Sequence, residues 1–196
     1  MKISFKWDKD NEVIDKAIKA INSIDPKDFT TYTYNEFVTA VDRLKFRKIE
    51  MEREIYKLPL TLAKYIINKA ADESKNITNL RLQELLYLVY KEAVLDGIKD
   101  VIDSMSFEAR NVIPTCKVVN DEYSVYGATP ILREDVTDDE YDVIPDKVIE
   151  ITDKVLKDNL DIPYWKLLEN VKNDKAYNKA YKYGSGTIIL YKDIEK

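Results

Sequence analysis

Apolar residues recur along this chain at the spacing of amphipathic helices, most clearly over residues 77–97, ITNLRLQELLYLVYKEAVLDG. The apolar positions of this segment fall at i, i+3, i+4, i+7 and i+11 and so share one face of a helix; they are Leu82, Leu85, Leu86, Val89 and Ala93. Thr78 stands where a hydroxyl can cap the first turn, and Gly97 stands where helices commonly end. The pattern therefore predicts a capped helix that forms part of the core scaffold.

The same periodicity predicts about seven helices in the whole chain and little strand. Ahead of Leu58, an apolar stripe over residues 11–23 and a capping-box pattern at residues 33–36 predict a helical N-terminal appendage, residues 1–57. Residues 58–196 are predicted to form a compact main domain of about five helices. Besides the segment already described, these helices cover residues 61–71, 115–126 and 146–156 and a segment that begins at Pro163. The predicted fold class is mainly α.

The composition is that of a globular protein, since 45% of the residues are apolar and 34% are charged. No apolar run approaches the ~20 residues that span a membrane. The start of the chain, MKISFKWDKD, lacks the apolar core of a signal peptide. The one cysteine, Cys116, excludes an internal disulfide and fits a reducing compartment. We therefore expect a cytoplasmic protein with no membrane partner.

The residue types present give little support to catalytic chemistry. With one cysteine and no histidine, the usual zinc sites are excluded, and the 4 glycines form no phosphate-binding loop. Cys116 opens a predicted helix, where backbone N–H groups could favour a thiolate, but without a histidine to activate it a small buried side chain is the favoured interpretation. The sequence predicts no catalytic residues, no metal, no cofactor and no enzymatic activity.

An acidic segment, EDVTDDEYDVIPD over residues 134–146, is expected to be flexible. Four of its carboxylates could bind a metal or act as acid and base, namely Asp138, Asp139, Glu140 and Asp142. The Gly and Glu spacing of an EF-hand loop is missing, so a solvated acidic loop is favoured. A third interpretation is that the segment engages a basic partner by charge mimicry.

A basic run, RLKFRK at residues 43–48, could contact phosphate groups. Glutamates follow it directly at residues 50, 52 and 54, which favours salt bridges along a helix face. Nucleic acid is therefore not expected as a direct ligand.

Residues 80–127 resemble the Panacea domain, the family of SocA-like antitoxins and phage-associated GepA-like proteins. The helix TNLRLQELLYLVY is similar to that family's T-x-L-K-L-Q-K-L-L-Y helix, and the acidic-Ala pair of the following loop matches Glu108 and Ala109. Pro114 and the pair Tyr126-Gly127 keep the family's order and spacing. A looser similarity continues through WKLL, YNKAY, the Gly-Ser-Gly turn and an Ile-Ile pair, so that it covers residues 58–194.

This chain also departs from the family pattern. Arg110 replaces an aromatic residue, Ile113 replaces the Gly of a Gly-Pro turn, and Tyr177 stands where Trp is expected. The family's Leu-Thr-His segment has no counterpart, because the chain contains no histidine. An Ile cannot adopt the positive φ angles open to Gly, and an Arg changes the charge of the loop. The partner surface is therefore expected to differ from the family's usual one.

The resemblance implies a non-catalytic, antitoxin-like module that neutralises a partner protein by stoichiometric binding. It points to the loop at residues 107–114 and the helix that follows, and tyrosine, present 14 times, is enriched at protein interfaces. The predicted partner-binding residues are Phe107, Glu108, Arg110, Ile113, Pro114, Tyr123, Tyr126 and Tyr177. The alternatives are a phage-encoded inhibitor of a host defence protein, such as an anti-CRISPR-like antagonist, and a DNA-binding regulator. Homo-oligomerisation stays open.

Overall fold

The helix predicted within residues 77–97 extends over Asn79–Leu95 in a computed structural model of the chain. Its first turn is capped as predicted, because the Oγ1 of Thr78 accepts a hydrogen bond from the backbone N–H of Arg81 over 3.3 Å. This bond satisfies one of the backbone donors that a helix start leaves without an internal partner.

The same helix ends in the arrangement that its glycine predicts. Gly97 has a φ of +69°, a left-handed conformation that favours glycine. The backbone N–H of Gly97 donates to the carbonyl of Val94 over 3.0 Å, and that of Ile98 donates to the carbonyl of Ala93 over 2.9 Å. These two bonds form a Schellman motif, so both predicted ends of the helix are confirmed.

The structure describes residues 56–194 and, ahead of them, Lys16. The chain divides into two units, Met1–Ile55 and Tyr56–Lys196. The helices predicted for the N-terminal appendage and the basic run at residues 43–48 lie outside the described residues.

Seven α-helices lie in residues 56–194, and the fold is mainly α as predicted. They are α1 (56–72), α2 (Asn79–Leu95), α3 (Lys99–Ser104), α4 (Lys117–Tyr123), α5 (Asp146–Asn159), α6 (Tyr164–Lys172) and α7 (Lys175–Tyr181). Short 3-10 helices occupy Ser124–Tyr126, Asp138–Val143 and Tyr191–Asp193. Helices α3 and α7, with six and seven residues, are not among the helices predicted from the sequence, because their few apolar positions define no period. None of the helices in this part of the chain is long and apolar enough to cross a membrane.

Helix α2 lies at the centre of the domain and contacts α3, α4, α5, α6 and the short sheet. Its predicted apolar stripe is completely buried. The inward faces predicted for α1 and α5 are buried as well, through Leu62, Ile66, Ile67 and Ala70 on the first and Val148, Ile151, Val155 and Leu156 on the second. Each fully buried Leu or Ile contributes about 1.5–3 kcal/mol to stability, so these three helices hold the domain together.

A small antiparallel sheet brings the end of the chain beside the predicted partner loop. Its strands are β1 (Glu108–Ala109), β2 (Pro114–Thr115) and β3 (Thr187–Ile188), in the order β2-β1-β3. Ala109 pairs with Pro114 on one side and with Thr187 on the other. The loop between β1 and β2 is therefore fixed at both of its ends.

The acidic segment at residues 134–146 is packed against α1, which corrects the expectation of a flexible loop. Asn68 of α1 accepts a hydrogen bond from the backbone N–H of Glu134 over 2.9 Å and donates to the Glu134 carbonyl and the Tyr141 hydroxyl, each over 3.0 Å. The ring of Tyr141 also meets the edge of Tyr65 at 5.3 Å. The side-chain amide of Asn68 thus holds the acidic segment against α1. The acidic composition of the segment does not indicate this contact.

Candidate functional site

The eight predicted partner-binding residues divide into a buried group and a surface group. Phe107, Ile113, Pro114, Tyr123 and Tyr177 are buried in the domain, although Ile113 also lines a surface groove. Glu108, Arg110 and Tyr126 are partly exposed and can contribute to a surface. Phe107 and Tyr177 support the loop from within the domain, a role that residue type alone does not separate from direct contact with a partner, since Phe and Tyr suit both.

Phe107 fixes the start of the loop to the central helix. Its ring lies 5.3 Å from that of Tyr87 and 5.0 Å from that of Tyr90, both on α2. Aromatic pairs at this spacing contribute beyond the area they bury. The residue just before β1 is therefore an anchor for the loop.

Helix α7 holds the middle of the loop. The hydroxyl of Tyr177 donates a hydrogen bond to the backbone carbonyl of Arg110 over 2.6 Å, and the hydroxyl of Tyr181 donates to the Oδ1 of Asn111 over 3.3 Å. The two tyrosine rings stack with their centroids 5.7 Å apart. These bonds hold residues 110 and 111 against α7.

Arg110, one of the departures from the family pattern, forms an ion pair within the loop. Its Nε donates a hydrogen bond to the Oε2 of Glu108 over 2.9 Å, and its Nη2 lies 2.7 Å from the same oxygen. Nearby on α4, Lys117 pairs with Asp121. Each of these two cations is thus paired with a carboxylate close to it in the sequence.

A groove of about 430 Å³ lies beside this loop. Its polar lining consists of Asn79, Gln83, Arg110, Asn111, Thr115, Asn120 and Ser185, and its remaining lining of Leu80, Val112, Ile113 and Gly127. These residues come from α2, the loop, β2, α4, the end of the 3-10 helix Ser124–Tyr126 and the Gly-Ser-Gly turn, several of which are far apart in the sequence. Apart from the loop residues, the sequence analysis did not place any of them in a site.

A chain of amide side chains crosses the floor of the groove. The buried Oε1 of Gln83 accepts the backbone N–H of Cys116 over 2.8 Å, at the start of α4. The Nε2 of Gln83 donates to the Oδ1 of Asn79 over 3.3 Å, and the Nδ2 of Asn79 donates to the Oδ1 of Asn120 over 3.1 Å. The Asn79 and Gln83 spacing of i and i+4 was the one sequence signal for this chain of contacts.

Cys116 itself is buried, and burial raises the pKa of its thiol to about 11, although backbone N–H groups of Val119 and Val118 act in the opposite direction. The thiol is therefore neutral at physiological pH and packs as a small apolar group. This agrees with the favoured interpretation from the sequence.

Helix α2 also carries a buried ion pair on its other side. The Nη1 of Arg81 lies 3.3 Å from the Oε2 of Glu84, and its Nη2 donates to the backbone carbonyls of Asn159 and Ile162 over 2.6 and 2.8 Å. Burial raises the pKa of Glu84 to about 7, although Arg81 lowers it in part. The Oε1 of Glu84 has no hydrogen-bond partner in the described part of the chain.

Asp174 links α7 to the central helix. Its Oδ1 accepts the backbone N–H of Tyr177 and the hydroxyl of Tyr87, each over 2.9 Å, and its Oδ2 pairs with Lys91. Burial acts to raise the pKa of this carboxyl, but the bonds from Lys91, Tyr177 and Tyr87 outweigh it and hold the pKa below its usual value. The helix that supports the loop is therefore itself firmly attached.

Within residues 56–194, no group of three or more His, Cys, Asp or Glu side chains is arranged to hold a metal ion. The side chains of Asp139, Glu140 and Asp142, which were weighed as candidate ligands, are exposed. That of Asp138 lies outside the described residues.

Comparisons with protein-family models, with curated proteins and with solved structures found no match to this chain.

Proposed function

We propose that this chain is a protein-binding module that neutralises a partner protein by stoichiometric binding, in the manner of an antitoxin. The observation that carries the proposal is the coincidence of the loop singled out by the Panacea resemblance with one wall of a preformed groove. A surface that is rigid before binding loses less conformational entropy when a partner docks.

The chemistry of the groove also favours binding over reaction. Its polar groups are amides, hydroxyls and an arginine that is already paired with Glu108. Groups of this kind supply hydrogen bonds and orientation at protein interfaces. Exposed Val112 and half-buried Leu80 add apolar contact area at the same place.

A phage-encoded inhibitor of a host defence protein is the second candidate. Arg110 and Ile113 favour it, because both lie in the loop and both depart from the antitoxin pattern. Arg110 brings a paired charge to the loop surface, and Ile113 fills the core beneath it. A surface altered in this way suits a partner unlike the family's usual one.

The test is affinity purification of the full chain from a low-GC bacterial lysate that also expresses its neighbouring genes. A small co-encoded toxin bound at a fixed stoichiometry would support the antitoxin role, and a host nuclease or other defence protein would support the inhibitor role. Salt-sensitive binding to DNA in a gel shift, without a protein partner, would instead support the regulator and overturn the proposal.

The surface assignment has its own matched pair of variants. Asn111→Trp places a bulky ring in the groove at an exposed position, and Asn170→Trp makes the same change at an exposed position on α6 outside the groove. We expect the first variant to lose the partner and the second to retain it. Equal retention by both variants would place the partner surface elsewhere.

A further inference from the structure

Four amide side chains line one groove, in a chain in which 34% of the residues are charged. They belong to Asn79, Gln83, Asn111 and Asn120. A side-chain amide carries the N–H and carbonyl groups of a peptide unit, with one N–H donor more. A cluster of amides is therefore suited to hydrogen-bonding the main chain of another polypeptide.

Gln83 bonds only within the domain, whereas Asn111 and Asn120 each have a donor group that no described residue uses. Gln83 uses both ends of its amide inside the domain, on Cys116 and Asn79. Asn111 and Asn120 accept through their oxygens, from Tyr181 and Asn79, whereas their Nδ2 groups donate to no other described residue. The groove thus offers N–H donors on amides whose oxygens already accept a hydrogen bond.

The charges at the groove argue against recognition of a charged ligand. Arg110 is paired with Glu108, Lys117 is paired with Asp121, and the other lining residues are uncharged. Attraction that depends on charge would be weak here and screened by salt. An uncharged segment satisfies the groove better than an acidic or basic one.

The size and apolar part of the groove indicate a short segment. Its volume of about 430 Å³ lies within the range of roughly 300–1,000 Å³ that is typical of sites for small ligands. Val112, 48% exposed, offers one apolar contact for a side chain of that segment. In an extended peptide, alternate side chains point to the same face, so peptide groups and one such side chain can meet the groove together.

We propose that this groove binds a short, extended and uncharged segment of the partner's chain, chiefly through hydrogen bonds from Asn111 and Asn120 to its peptide carbonyls. The inference rests on the proposed function, since it names the part of the partner that the module holds. It adds the class of ligand to that proposal, because a partner could cover this surface without placing a peptide segment in the groove.

A random heptapeptide library displayed on phage and selected against the full chain provides the probe. We expect the selected peptides to lack charged residues, and synthetic copies to shift the side-chain amide resonances of Asn111 and Asn120 in a 1H–15N spectrum. Replacing the contacted peptide bond by an ester, which weakens its carbonyl as an acceptor, should weaken binding about tenfold, the effect of about 1.4 kcal/mol. Raising the salt from about 0.05 M to about 0.5 M should change affinity less than about twofold.

Two variants separate the groove from the remainder of the surface. Asn111→Leu removes a donor at an exposed position and should weaken peptide binding about tenfold, as a lost hydrogen bond does. Asn170→Leu is the matched control and should bind as the parent does. Because Asn111 is exposed, both variants are expected to fold, which a thermal unfolding curve checks.

Charged peptides with strongly salt-dependent affinity, resonance shifts confined to other residues, or no selected peptide that binds more tightly than about 1 mM would each overturn this inference. A partner lost on Asn111→Trp while every peptide fails would leave the proposed function standing and remove only the peptide mode. Peptides that bind the groove while no protein partner copurifies would support the site and overturn neutralisation.

Discussion

The hydroxyl of Tyr177 donates a hydrogen bond to the backbone carbonyl of Arg110 over 2.6 Å, across 67 positions of sequence. This bond joins α7 to the loop between β1 and β2. Tyr177, predicted from the sequence to be a partner-binding residue, is buried and bonded to this loop. The position of the loop therefore depends on α7 as well as on its own strands.

Replacing Tyr177 by Phe should remove this support without changing the ring. The carbonyl of Arg110 then loses a partner, and we expect the free energy of unfolding to fall by about 1 kcal/mol, with weaker partner binding through a looser loop. Urea unfolding measures the first effect. Tyr183→Phe, at a position 82% exposed, is the control and should leave stability unchanged. Equal stabilities for the two variants would contradict the supporting role.

Replacing Gln83 by Leu should break the amide chain at its buried end. The backbone N–H of Cys116 would lose its acceptor in a buried environment, which costs about 1–3 kcal/mol. Hydrogen exchange of the Cys116 amide should accelerate more than that of amides further along α4. Unchanged protection at Cys116 would show that the Gln83 contact does not hold the start of this helix.

Glu84 should make stability depend on pH in a defined direction. Its pKa is about 7 in the folded chain and 4.5 without the fold, so the folded state binds the proton more tightly. The contribution of this group to the free energy of unfolding is then largest below about pH 4.5 and falls as the pH rises to about 7. Asp174, whose pKa is lowered, acts in the opposite direction and at lower pH.

The Glu84→Gln variant isolates this effect because glutamine keeps the shape of the protonated acid. The free energy of unfolding of this variant, relative to that of the parent, should increase from about pH 4.5 to about pH 7, by at most on the order of 3 kcal/mol. Urea unfolding at several pH values measures the difference. Asn170→Gln, which changes no ionisable group at an exposed position on α6, should show a flat difference. A flat difference for Glu84→Gln as well would show that protonation of Glu84 does not affect stability.

Leu85→Asp tests whether the apolar stripe of α2 is scaffold. Leu85 is completely buried, so a charge there should cost more than about 4 kcal/mol and unfold the domain. Circular dichroism would detect the loss of helix. Leu132→Asp, at a position 70% exposed, should remain folded. A Leu85→Asp protein that stays folded and loses only its partner would assign the stripe to binding instead.

The sequence alone determined the helices whose signals are local. The α2 stripe, its Thr78 cap and its Gly97 end could all be read directly, because helical hydrogen bonds and caps join residues within a few positions of each other. The same holds for the inward faces of α1 and α5. Helices α3 and α7 could not be predicted in this way, because one or two turns carry too few apolar positions to define a face.

Only the tertiary structure decided which candidate residues reach the surface and what lies beside them. Tyrosine and phenylalanine are compatible with both a core and an interface, so burial of Phe107, Tyr123 and Tyr177 depends on what packs around them. The groove joins Asn79, Asn120 and Ser185, which no local pattern links. Their proximity follows from helix packing and from a sheet that pairs the chain's last strand with β1, and long-range contacts of this kind are set by the whole domain.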